Sequence, residues 1–278
     1  MDLNTLLKRS LTIVVGAPIL IYIIFIGKEI FACSILILAL IAWHELVKMF
    51  NKRFIKVWQE LGVISIAALA VSAFLGNTEY TLAIILFTII ISFLRTIFSS
   101  SSFSIVECCV TITSIFYIGL TFSYLILLRF IMPNEFIHTP LGEISAGLFY
   151  FMLPLIGTWI HDIAAYLIGS AIGKHKLCPK ISPGKSVEGA IGGLLGSIIT
   201  ITLIGIICGI ALKHLVIIGI LTGLVAALGD LVESAIKRFC DVKDSGSILP
   251  GHGGILDRFD ALIFVVPVVY YYIKFFMI

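Results

Sequence analysis

GAIGGLLGSIITITLIGIICGIAL, residues Gly189–Leu212, runs for 24 positions without a charged side chain. As an α-helix it would be about 36 Å long, enough to cross the ~30 Å hydrocarbon core of a bilayer. Its apolar residues are continuous rather than alternating, which predicts a spanning helix and not a strand of a β-barrel. Similar runs flank it, at His214–Ile236 downstream and Ala146–Ile168 upstream. Farther out lie Leu11–Ile26, Ile30–Met49, Leu61–Leu75, Tyr80–Leu94, Val106–Leu128 and Asp260–Phe276. The fold class expected is therefore all-α: a polytopic integral membrane protein with about nine transmembrane helices. A chain that is 60% hydrophobic and 13% charged, with a mean hydropathy of +1.15, fits no soluble class. Leu11–Ile26 follows Lys8 and Arg9 as a signal peptide would. No small-residue cleavage site precedes Lys28 and Glu29, so it is read as a retained first helix.

Nine spans put the N-terminus and alternate loops on one face. That face receives Lys8, Arg9, Lys48, Lys52, Arg53, Lys56, Arg95, Lys174, Lys176, Lys180, Lys185, Lys237, Arg238, Lys243 and Arg258. Only Lys28, Arg129, Lys213 and Lys274 fall opposite. The positive-inside rule then predicts a multi-pass protein of the cytoplasmic membrane, with its N-terminus and polar loops in the cytoplasm and its C-terminus outside. The net charge of +3 is too small to suggest a nucleic-acid partner. The six cysteines form no CxxC pair and read as small apolar residues.

The chain divides in character. Residues 1–142 read as transmembrane scaffold, whose few ionisable groups (His44 with Glu45, and Glu107) fit snorkelling or capping roles. Residues 143–278 read as the catalytic region, with cytoplasmic loops at 173–189 and 237–259. Small residues at four-residue spacing (Gly169 with Gly173, Gly189 with Gly193, Gly192 with Gly196) predict close helix packing, and offer a face for a homodimer.

Within that oily setting SAIKRFCDVKDSGSILPGHGGILDRFD, Ser234–Asp260, gathers Lys237, Arg238, Lys243, His252 and Arg258 among Asp241, Asp244, Asp257 and Asp260. Just upstream Asp230, Glu233 and Lys237 share one helical face, an arrangement that demands cations. Asp162 ends an apolar stretch one turn before Tyr166. The loop GKHKLCPKISPGKSVEG, Gly173–Gly189, brings Lys185 between Ser182 and Glu188, although the GxxxxGK[ST] pattern is broken by Pro179. Ser182 or Ser186 with Glu188 can cap the next helix, and the same residues can cradle a phosphate. Carboxylates from separate helices suit Mg²⁺, which takes one or two of them and fills its shell with water and phosphate oxygens. Such acids, phosphate-binding cations and flexible glycines are the parts that phosphoryl or nucleotidyl transfer requires. A serine hydrolase is disfavoured, since there is no GxSxG elbow.

Ser234, Lys237, Arg238, Lys243, Asp244, Gly246, Pro250, His252, Gly253, Gly254, Asp257, Arg258 and Asp260 together resemble the signature of the phosphatidate cytidylyltransferases. The resemblance extends to DIAAYLIGSAIGK from Asp162 and to ISPGKSVEG from Ile181, where Gly184 and Ser186 replace the usual Lys and Thr. It implies transfer of CMP from CTP to phosphatidate, giving CDP-diacylglycerol and pyrophosphate, in a site that requires Mg²⁺ and can also hold K⁺. It implies metal-binding roles for Asp230 and Asp257, with Asp162 and Glu233 as further candidates. Catalytic roles are expected for Asp230, Asp257, Lys237, Arg238, Asp244 and Asp260. Substrate contacts are expected for Ser182, Lys185, Ser186, Lys243, His252 and Arg258. Two rivals use similar parts: a CTP-dependent lipid kinase acting on a polyprenol, and an ion-coupled transporter. Broken helices repeated in both halves, which the second would favour, are not evident in the sequence.

Overall fold

The computed structural model describes residues 16, 18–99, 103–248 and 253–278. Among them seven helices are long and apolar enough to cross a membrane, and an eighth apolar helix is shorter. They are α1 (Lys28–Lys52), the shorter α2 (Gln59–Leu75), α3 (Thr78–Phe98), α4 (Ile105–Arg129), α5 (Ala146–Ile172), α6 (Val187–Ile207), α7 (Leu212–Phe239) and a last span, Leu256–Phe276. The last span is divided at Asp260–Ala261 into a single turn, α8 (Leu256–Phe259), and α9 (Leu262–Phe276). The protein is thus an all-α polytopic membrane protein. The first run anticipated, Leu11–Ile26, lies partly outside the described residues, with 18–26 helical.

Two short antiparallel hairpins interrupt the helical pattern. One pairs β1 (Phe136–Thr139) with β2 (Gly142–Ser145), in register Phe136↔Ser145 to Thr139↔Gly142. The other pairs β3 (Lys176–Cys178) with β4 (Ser182–Ser186), with Lys176 opposite Ser186 and an irregularity before Cys178↔Ser182. The second replaces the loop expected at 173–189. It was hidden because LCPKISPG carries no two-residue apolar alternation, the signal by which strands are read.

The chain forms two compact units. The first comprises residues 1–127 and 239–258, the second 128–238 and 259–278. Most of the loop at 237–259, grouped with the C-terminal region in the sequence, therefore packs with the N-terminal helices.

In the first unit, Phe31, Ile35, Trp43 and Leu46 of α1 are buried. The Trp43 ring lies against Gly62 of α2, where any larger residue would collide with it, and its indole nitrogen donates to the Gln59 carbonyl at 3.3 Å. Hydroxyl pairs Ser65–Thr88 (2.9 Å) and Ser72–Thr81 (2.7 Å) link α2 to α3. Such bonds supply affinity between helices where lipid offers no hydrophobic drive. A π-turn at Phe116–Leu120 in α4 brings Gly119 against Leu69 and Ile66 of α2.

In the second unit, α5 and α6 pack through their small residues. Gly169 faces Gly189, Gly192 faces Ile168 and Gly196 faces Ala164. The glycines that the sequence offered as a dimer face are thus used within the chain. Helix α7 follows the same rule, with Gly219 against Ile198 and Gly223 against Leu194 of α6.

Candidate active site

A cavity of about 440 Å³ opens in the second unit, lined from α5 by His161, Asp162 and Tyr166, from β4 by Lys185 and Ser186, and from α7 by Ala226, Ala227 and Asp230. This lies in the size range of small-molecule sites. Helix positions explain who reaches it. Asp162 and Tyr166 are four apart on one face of α5, and Gly169 and Gly189 allow α6 close enough to bring β4 alongside.

At the cavity the Lys185 ammonium meets Asp230 Oδ2 at 2.5 Å, with the two side chains 28% and 32% exposed. Ser234, one turn on, donates its hydroxyl to Asp230 Oδ1 at 3.3 Å. Asp260 lies within electrostatic reach of both Asp230 and Asp162, and its Oδ1 accepts the Ala261 amide at 2.7 Å. Three carboxylates, from α5, α7 and the break between α8 and α9, thus share one neighbourhood, with Lys185 paired to Asp230 and Lys237 within electrostatic reach of Asp260. Among the described residues no three of His, Cys, Asp and Glu converge as a ready-made ligand set. Mg²⁺ does not need one, because one or two carboxylates and substrate phosphates satisfy it; the hard oxygens of Asp162, Asp230 and Asp260 fit that pattern.

Ser186 is the N-cap of α6, where its hydroxyl accepts the Gly189 amide at 3.1 Å, while it also lines the cavity. Glu188 fastens the hairpin, accepting the amides of Lys174 (3.1 Å) and His175 (3.2 Å) and pairing with His175 Nδ1 at 2.6 Å. Glu233 is fully buried and ion-paired with Lys237, outside the cavity lining. Arg238 donates from Nε to the Ile181 carbonyl at 3.2 Å, tying the end of α7 to the hairpin. Ser182 is half-buried at the start of β4.

The remaining residues of the signature lie in the first unit. Asp257 Oδ2 accepts three donors: the Ser245 amide (2.9 Å), the Ser245 hydroxyl (2.8 Å) and the Gly254 amide (2.8 Å). Lys243, Asp244 and Arg258 are exposed. His252 lies outside the described residues.

Two residues that the sequence did not single out as site members have defined places. His161 is 3% exposed, lines the cavity, has no hydrogen-bond partner at Nδ1 among the described residues, and lies so close to Gly193 that a methyl group there would be 2.7 Å from the ring. Glu45, read as scaffold, is 2% exposed and accepts the amides of Ile255 and Leu256, each at 3.0 Å. Only its neighbour His44 keeps the exposed character expected of the pair.

The sequence model of the Cytidylyltransferase family matches residues 7–276. The chain belongs to the cytidylyltransferase family. Among its relatives, the phosphatidate cytidylyltransferase of Staphylococcus saprophyticus is 36% identical over 93% of this chain and 95% of its own length. That of Bacillus subtilis is 32% identical over 97% of this chain and 98% of its own length. Membership therefore extends over both units, including the helices before Gly142, where the sequence alone showed only a matching number of hydrophobic spans.

Proposed function

We propose that this chain is a phosphatidate cytidylyltransferase, joining CTP and phosphatidate into CDP-diacylglycerol with release of pyrophosphate. The observation that carries this reading is the Lys185–Asp230 pair, set among further carboxylates in a cavity of nucleotide-accepting size. A phosphate oxygen of phosphatidate attacks the α-phosphorus of CTP. The bond from that phosphorus to the β-phosphate bridge breaks, and pyrophosphate takes the electron pair. The nucleophile is already anionic at neutral pH, so no strong base is required, and positioning and charge neutralisation supply most of the catalysis.

Lys185 is the cation best placed for a substrate phosphate, because it is partly exposed at the cavity and its partner Asp230 can exchange it for another cation. Lys237 and Arg238 hold Glu233 and the hairpin in place, and add positive potential at the end of α7. Lys243 and Arg258 are exposed cations of the signature that can contact phosphates. Asp230, with Asp162 and Asp260 nearby, would hold Mg²⁺, and the family resemblance adds Asp257 as a metal acid and K⁺ as a second cation. When bound, Mg²⁺ neutralises charge developing on the phosphate oxygens. The membrane is assigned as the cytoplasmic one, with Lys185 and the signature facing the cytoplasm, on the distribution of basic residues.

The test is purified protein with phosphatidate and CTP labelled at the α-phosphorus. Label in the lipid with stoichiometric pyrophosphate is expected. Release of CDP with a phosphorylated alcohol would instead identify a lipid kinase and overturn the proposal.

A further inference from the structure

We infer that Glu45, in the middle of the sequence-distant α1, is a positioning residue for the signature segment that carries Asp257; this rests on the functional reading above. Its carboxylate is buried and, among the described residues, is met by backbone amides and a hydroxyl. Oε1 accepts the Ile255 amide and Oε2 the Leu256 amide, each at 3.0 Å, and the Ser245 hydroxyl lies 3.4 Å from Oε2. The same Ser245 hydroxyl donates to Asp257 Oδ2 at 2.8 Å. One hydroxyl therefore stands between the two carboxylates, and Asp257 follows the two amides that Glu45 holds.

The segment is shaped around this anchor. A side chain at Gly246 would collide with Glu45 Oε1, and one at Gly254 would collide with the Ser245 hydroxyl and lie 2.6 Å from both Glu45 oxygens. These glycines allow the backbone to close on the carboxylate. A second grip lies two turns on, just past the end of α1, where Arg53 pairs with Asp241 at 2.8 Å and donates to the Phe239 carbonyl at 2.5 Å. An acid bound by amide donors on a distant strand of chain does more than fill a helix: it fixes where Ser245 and residues 254–257 sit, hence how Asp257 is presented. Glu45 itself does not touch substrate in this reading.

The experiment compares wild type with Glu45→Gln, Glu45→Asp and Ser245→Ala as full chains in detergent, measuring kcat, KM for CTP and amide hydrogen exchange at 254–257. A glutamine offers one acceptor where two are used and points an NH₂ at an amide donor. Glu45→Gln should therefore lose about 10- to 100-fold in kcat/KM, with faster exchange at Ile255 and Leu256, and Glu45→Asp should recover part of the loss. If the glutamine variant does not fold, Ser245→Ala carries the test, with an expected loss of about 3- to 10-fold and faster exchange at Gly254–Leu256. A folded glutamine variant whose kcat and KM stay within twofold of wild type overturns the inference, even if its melting temperature falls. For Ser245→Ala, unchanged kinetics and exchange do the same. Absence of lipid product from the wild type would overturn the functional reading instead, while the exchange data would still decide the role of Glu45.

Discussion

Replacing Lys185 by methionine separates what that lysine does for stability from what it does for turnover. Its ion pair with Asp230 is short, at 2.5 Å, yet both side chains are close to one-third exposed. Water and salt screen such a pair, so it contributes about 1 kcal/mol at most. In a protein of this size that corresponds to about 2–4 °C in melting temperature. Methionine keeps most of the aliphatic stem, so packing along Gly184 and the cavity wall should be little disturbed. The effect on the reaction is of another order. Loss of a cation aimed at a phosphate in a partly desolvated site costs about 100- to 1,000-fold in kcat. Lys185→Arg keeps the charge on a longer planar head and should fall between the two. The assay pairs thermal unfolding in detergent with steady-state formation of labelled lipid. A methionine variant that melts within a few degrees of wild type and retains kcat/KM within threefold would refute the assignment of Lys185 to a phosphate.

Asp257→Asn presents one oxygen and one NH₂ where three donors converge on a single carboxylate oxygen; we expect turnover to fall by at least about 100-fold and stability by about 1–3 kcal/mol, measured by product formation and by melting of a still-folded protein. Gly193→Ala would force a methyl group against the His161 ring and should destabilise by about 1–3 kcal/mol through overpacking, seen as a lowered melting temperature. Arg53→Ala removes the tie to Phe239 and Asp241. Because that pair is exposed, global stability should change by less than about 1 kcal/mol, while trypsin should cut at Lys243 faster than in wild type.

Those features that depend on runs of one residue type were legible in the sequence. Gly189–Leu212 and its companions marked the spans because twenty apolar residues in succession have few other uses, and Gly169, Gly189, Gly192 and Gly196 signalled a close helix contact, whose partners, α5 and α6, only the structure identifies. Asp162, Lys185, Ser186 and Asp230 were each identified in the sequence and do meet at one cavity. The hairpin at Lys176–Ser186 was not legible, since its pairing depends on turn geometry and on Glu188 gripping two amides rather than on apolar alternation. Glu45 was missed because its partners lie about 210 positions away, and a single acid in an apolar helix carries no pattern of its own. His161 was missed for a related reason: its significance comes from the absent side chain at Gly193, on another helix.

The brevity of α2 has a mechanical consequence for the lipid around it. Its 17 residues measure about 26 Å along the axis, against ~30 Å of hydrocarbon, and Val63, Ile64, Val71 and Leu75 are exposed along its outer side. Gly76 and Asn77 then turn the chain directly into α3, so the apolar length cannot be extended beyond Leu75. A helix that falls short of the hydrocarbon core by about 4 Å or more is accommodated by thinning of the adjacent bilayer or by snorkelling of its flanking residues. Where α2 crosses a bilayer, thinning beside it would draw one leaflet's headgroups inward at that flank, and a membrane of longer-chain lipids would resist that deformation more strongly.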